Sequence, residues 1–153
     1  MFKPTTDFKA IPFIAEHAID LVAKNTMTHA EKTYLLETHI HNLTRENHAV
    51  SVVNNGHLLG SGGVYPVWPN LGEAWVIPSN LIHQHKRIFI QIVRKHLEDM
   101  TDKFAFTRVQ ATAKADFPKA QRFLEFLGFE REGLLRKYGV DGSDHILYAK
   151  IKE

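Results

Sequence analysis

The chain contains no cysteine, which removes disulfides, thiolate metal sites and a cysteine nucleophile together. No apolar run approaches the roughly 18 residues needed to cross a bilayer. Charge of one sign is also missing: 19 Lys and Arg stand against 17 Asp and Glu, a formal net charge of +2. So small an excess does not call for nucleic acid, but it suits a local basic patch that meets a small anion. No repeat, low-complexity segment or block of like charge marks a linker. Met1-Phe2-Lys3-Pro4 lacks the apolar core of a signal peptide, so the cytoplasm is the expected location. What is present, 153 residues with 44% apolar and 24% charged, reads as one globular domain over 1–153.

Residues 1–10 are polar and read as an edge strand or a loose arm. Ile11, Ile14, Ala15, Ala18 and Val22 follow helical spacing, with Pro12 suited to the first turn. A second helix is expected over His29 to Asn42, with Leu36, Ile40 and Leu43 on one face. Ala49 to Val53 is β-branched and apolar, and Asn54-Asn55-Gly56 supplies a tight hairpin turn. The returning strand, Leu58 to Val67, carries Gly60, Gly62 and Gly63, which fit a bent or bulged strand better than a phosphate cradle, since no helix follows them. After the Trp68–Gly72 loop, Glu73 to Ile77 reads as a strand. Pro78-Ser79-Asn80 stops it and caps a long helix to about Asp102, with Phe89, Val93, Leu97 and Met100 buried. Arg108 to Lys114 alternates as a half-buried strand, and two more strands are expected over Glu132 to Tyr138 and His145 to Ile151.

Between them lies the stretch that carries most information, Phe117-Pro-Lys-Ala-Gln-Arg-Phe-Leu-Glu-Phe-Leu-Gly-Phe129. Ala120, Phe123, Leu124 and Leu127 make one apolar face, Pro118 suits the first turn, Asp116 is a candidate cap, and Gly128 closes the helix. The order is helix, helix, hairpin, strand, long helix, strand, helix, two strands: an α/β (α+β) layout with a mostly antiparallel sheet and one strand–helix–strand crossover. A helix ending in Leu-Gly-Phe within this order resembles the GNAT acetyltransferase superfamily. The resemblance runs from about residue 11 to 151 and implies a three-layer fold, with helices flanking a mixed sheet whose central parallel pair is splayed.

It also implies a chemistry: transfer of acetyl from acetyl-CoA to a primary amine. Carried over by position, the backbone at Trp75, Val76 and Ile77 would line the cofactor. Lys86 and Arg87 would meet its phosphates, Glu73 would be the base and Tyr138 an acid. Two features depart from the family pattern. Gln84 and Lys86 stand where two glycines of the phosphate loop are expected, and Leu124 stands where a tyrosine acid is frequent. Tyr148 is a further tyrosine that could reach the site. His39-Ile40-His41 and His83-Gln84-His85 are spaced i, i+2, which suits no joint metal site on a helix, and none is expected. A nucleic-acid face over Lys86–Lys95 is broken by Glu98, Asp99 and Asp102.

Glu-Ala-Trp-Val-Ile-Pro-Ser, the glycine-free basic helix start and Arg122-Phe123-Leu124 together resemble a GNAT-like group of tailed bacteriophages. That narrower resemblance implies an alternative, a catalytically inactive GNAT-fold structural or interaction protein of a virion. The two readings differ in partners (acetyl-CoA with an amine acceptor, or a homodimer or virion assembly) and in location (host cytoplasm or virion). Neither involves a membrane.

Overall fold

The computed structural model describes residues 7–25 and 27–153. Seven strands form one sheet in the order β1-β2-β3-β4-β5-β7-β6. They are β1 (Phe8–Pro12), β2 (Ala49–Asn54), β3 (His57–Trp68), β4 (Leu71–Pro78), β5 (Arg108–Lys114), β6 (Glu130–Leu135) and β7 (His145–Ile151). Every neighbouring pair is antiparallel except β4 with β5. The helices are α1 (Ala15–Ala23), α2 (His29–Tyr34), α3 (Ile40–Leu43), α4 (Lys86–Lys103) and α5 (Pro118–Phe126). Among the described residues no helix is long and apolar enough to cross a membrane.

Local signals account for most of these elements. Asn55 and Gly56 both take positive φ, which is what the tight β2–β3 turn demands. Gly128 does the same at φ +96° and closes α5. The glycines of β3 permit close packing, since a Cβ on Gly60 would lie 2.7 Å from the ring of Phe89. The β2–β3 register also shifts between Val52 and Val53, so the bulged-strand reading holds.

Strand alternation divides the interior into two layers. Ala74, Val76, Val109, Ala111 and Ala113 pack with α4 and α5, around Phe89, Val93, Leu97 and Leu124. Trp75, Ile77 and Tyr65 face the opposite layer, formed by α1 and the α2–α3 region with Leu21, Leu35 and Leu43. The second layer admits one buried polar chain: Ser51 Oγ lies 2.6 Å from both Ser61 Oγ and His17 Nδ1, so both buried hydroxyls are satisfied.

Five expectations need correction. Ile11 and Pro12 belong to β1, paired with Ser51 and Val50, and helix α1 begins only at Ala15. Of the arm or edge strand expected over 1–10, residues 1–6 lie outside the described residues. The second helix is interrupted by a π-helical turn, Leu35–His39, which shifts the buried positions to Leu35 and Leu43. Ser79 caps not the long helix but a 3-10 turn, Asn80–Gln84, and α4 starts after it at Lys86. Asp116 caps nothing: Phe117 holds the N-cap position of α5 without a side-chain bond, and Gln121 ties the turn by donating to the carbonyls of Lys114 and Ala115. The sixth strand also sits earlier than expected, at Glu130–Leu135, with Tyr138 in the loop beyond it.

Candidate active site

The parallel pair at the centre of the sheet is short. Leu71, Gly72 and Glu73 pair with Arg108, Val109 and Gln110, and there the ladder ends. Both strands continue, β4 to Pro78 and β5 to Lys114, with no pairing between them. Strand β4 stays bound to β3 along its other edge as far as Pro78, so its edge toward β5 is left with backbone groups unclaimed by a strand. A single alternation explains the gap's walls: small Ala74, Ala111 and Ala113 line it where larger side chains would close it.

A cleft of about 570 Å³ occupies this opening. Its lining comes from both layers. Ile90, Leu97, Phe123 and Leu127 stand on one side of the sheet, while Asn25, Met27 and Glu31 stand on the other. The cleft therefore passes through the sheet where the strands part. Leu81 and Gln84 are exposed and Ile82 only lines the wall, so none of them plugs it.

Trp75, Val76 and Ile77 form its β4 wall, and Lys86 lies at its rim. Arg87 is exposed and stands outside the lining. The rim carries two further cations that sequence reasoning overlooked, Lys119 and Arg122 of α5, together with His83 of the 3-10 turn. Their signal is present in the sequence, since i and i+3 share a helix face. Leu124 lines the cleft as an apolar wall. Tyr148 is 1% exposed and its hydroxyl donates to Glu125 at 3.4 Å, which makes it a packed aromatic.

Glu73 sits at the vertex, the last paired residue of β4. Its Oε2 is buried and has no hydrogen-bond partner among the described residues. Burial pushes its carboxyl up to about 7, against the opposing pull of Gln110 and Arg108. Arg108 cannot do more, because its guanidinium is committed to Glu132 through two bonds of 2.6 and 3.0 Å. Across the β3–β4 pair Glu73 faces Tyr65, whose hydroxyl is held protonated first by burial and then by the Glu73 charge. Tyr138 is half-exposed, packs edge-on against His145 and feels the same carboxylate, after burial.

Tyr34 and His39, brought together by the π-helical turn, complete this group of rings. Burial holds His39 below its ordinary value, and its Nδ1 is buried without a partner among the described residues. Beside them Lys114 bridges Glu31 of α2 and Asp141 of the β6–β7 loop, at 3.0 Å each. Tyr34, His39 and Tyr65 were not anticipated. Counting outward across the Pro69-Asn70 turn would place Pro66 opposite Glu73; a register shift between Pro66 and Trp68 brings Tyr65 there instead, so this group required the tertiary fold.

No protein-family model matches the chain, and no curated protein matches it. Solved structures do. A probable acetyltransferase superposes with a TM-score of 0.68 at 18% identity, over 95% of this chain and 93% of its own. A chimera of the spermidine N-acetyltransferase SpeG from Vibrio cholerae and hSSAT gives 0.69 at 14% identity, over 94% and 95%. This is the GNAT fold. A GNAT-family acetyltransferase from Bacillus anthracis matches at 0.66 and 15% identity, over 94% and 93%. Identities this low establish the shared architecture and leave the chemistry to be argued from the site.

Proposed function

We propose that the protein is an acetyl-CoA-dependent N-acetyltransferase acting on a primary amine. The observation that carries this reading is the parting of β4 from β5 just beyond Glu73, with an open cleft through the sheet. The residues present fit the cofactor. Unpaired backbone along Trp75, Val76 and Ile77 can bond its amide-rich arm, and small Ala111 and Ala113 leave it room. Lys86, Lys119 and Arg122 at the rim would hold its phosphates, doing with side-chain charge what a glycine loop does with backbone amides. Arg87, outside the lining, adds only distant charge.

Acetyl-CoA supplies the acetyl group as a thioester. An amine is nucleophilic only once it has lost a proton, and Glu73, poised near neutral pH, takes that proton directly or through a water. Its buried, unpartnered oxygen raises the drive to accept one. Tyr138, outside the lining of the cleft but within the field of Glu73, stays protonated at neutral pH and is the candidate donor for the departing sulfur. The direct test is release of free thiol from acetyl-CoA by the purified protein with a panel of primary amines, and its loss in Glu73→Gln.

A second reading, the non-catalytic GNAT-fold virion or interaction protein, is favoured by one feature. The Asn80–Gln84 turn stands where the phosphate loop is expected, and α4 begins at Lys86 with no side-chain bond from His85 at its N-cap. Cofactor binding without thiol release for any amine would support it.

A further inference from the structure

This inference deepens the acetyl-transfer reading and rests on it. We propose that Lys114 is a positioning residue: it latches the first turn of α2 to the far end of β5, and so sets how tightly the cleft closes on a bound cofactor arm.

The first observation is how the cleft is bounded at its open end. Beyond Glu73 and Gln110 no ladder joins β4 to β5, and the far end of each strand is tied instead to residues around the α1–α2 junction. Asn25 Nδ2 donates to the carbonyl of Pro78, the last residue of β4, at 2.7 Å. The amide of Asn80 donates to the carbonyl of Lys24 at 3.2 Å. On the other side Lys114, the last residue of β5, donates to Glu31 Oε1 at 3.0 Å. Asn25, Met27 and Glu31 all line the cleft. The wall they give it is therefore fastened to both parted strands, at β4 through Asn25 and at β5 through Lys114.

The second observation is what the β5 fastening is made of. Helix α2 contains no buried residue, so polar bonds hold its first turn. Glu31 Oε1 accepts from the Thr28 amide at 2.9 Å to complete the capping box, and the same oxygen receives Lys114. Lys114 also donates to Asp141 Oδ2 of the β6–β7 loop at 3.0 Å. The side chains of Lys114, Glu31 and Asp141 are 23%, 22% and 19% exposed, against 63% and 53% for the Lys9–Asp7 pair, so water and salt screen them less. One cation stands between two carboxylates. Removing it replaces two attractions with a repulsion that pushes the start of α2 away from the β6–β7 loop. An ordinary exposed pair has no such consequence.

The experiment uses the full chain, acetyl-CoA as the probe, and amide hydrogen exchange as a readout that needs no ligand. In Lys114→Met acetyl-CoA should bind about tenfold more weakly, through faster dissociation, in protein shown to be folded by its denaturant midpoint. The backbone amides of residues 27–34 should exchange about tenfold faster. Lys114→Arg keeps a cation between the carboxylates and should stay within about threefold of the parent in both readouts. Glu31→Gln leaves Lys114 on Asp141 and creates no repulsion, so about a threefold loss of affinity is expected. It carries the test should Lys114→Met fail to fold. Parent affinity in a folded Lys114→Met, or an equal loss in Lys114→Arg, overturns the inference and leaves the cleft standing. Failure of the parent to bind acetyl-CoA overturns acetyl transfer itself. The latch is then decided by exchange alone: faster exchange in Lys114→Met keeps Lys114 as the hold on α2, and unchanged exchange removes that too.

Discussion

The two faces of β4 are built from the same eight residues yet meet opposite environments. Ala74 and Val76 join the apolar layer beneath α4 and α5, where side chains interlock and polar groups are scarce. Glu73 and Trp75 point into the other layer, where burial and then the Glu73 charge hold the hydroxyls of Tyr65 and Tyr138 protonated. One face is made for packing, and the gap in it arises from small residues in a well-filled wall. The other keeps a carboxylate in a place that disfavours its charge. The lesson is that a strand's period of two can set a packed wall and a buried carboxylate on opposite faces within adjacent residues.

The comparison is broken most severely by removing the carboxylate. Glu73→Gln keeps the shape and deletes the proposed base, so kcat/KM should fall by about 10² to 10⁴. In the parent the rate should rise with pH and level off above about 7, where Glu73 is ionised; a profile flat across this range would assign the base elsewhere. The same variant should be more stable than the parent at pH 8. The sign follows from linkage: a carboxyl raised from its ordinary value to about 7 binds more protons folded than unfolded, so stability is lost as pH climbs through that value. Removing the group should recover on the order of 1–3 kcal/mol at pH 8, and the gain should vanish below pH ~4. Denaturant unfolding at the two pH values measures it.

The packed face is probed from the cleft. Ala120→Trp projects a large ring from α5 into the opening and should weaken acetyl-CoA binding tenfold or more without unfolding the chain. Lys86→Glu and Arg122→Glu should each weaken it by about tenfold at low salt and less at high salt, as expected for exposed charges on a phosphate. Arg87→Ala sharpens the distinction between lining and surroundings: an effect under about threefold is expected. A larger loss would place Arg87 on the phosphates after all.

How much of this could be read from residues alone depended on how local the signal was. The Asn55-Gly56 turn, the Gly128 closure and the Arg108–Lys114 alternation are set by neighbours in sequence, and each came out where expected. Boundaries failed where two local readings compete. Ile11-Pro12 satisfies a helix start as well as a strand end, and pairing with Val50 and Ser51 decided it. Ser79 is a good cap, but it caps a short 3-10 turn, since the chain must cross from β4 to α4 before the long helix can begin. Trp75 to Ile77 and Lys86 fall on the lining of the cleft because segment order positions them there. Tyr34, His39 and Tyr65 were not legible, because the π-helical turn and the opposing layer bring them together across 31 residues of sequence.

The parted strands are the centre of the account, and titration of acetyl-CoA into the purified protein tests them most directly. Saturable heat with a stoichiometry of one per chain, weakened in Ala120→Trp and in Lys86→Glu, is the expected result. No heat at high micromolar acetyl-CoA, from protein shown to be folded, would contradict it and leave the cleft a structural feature of a non-catalytic fold.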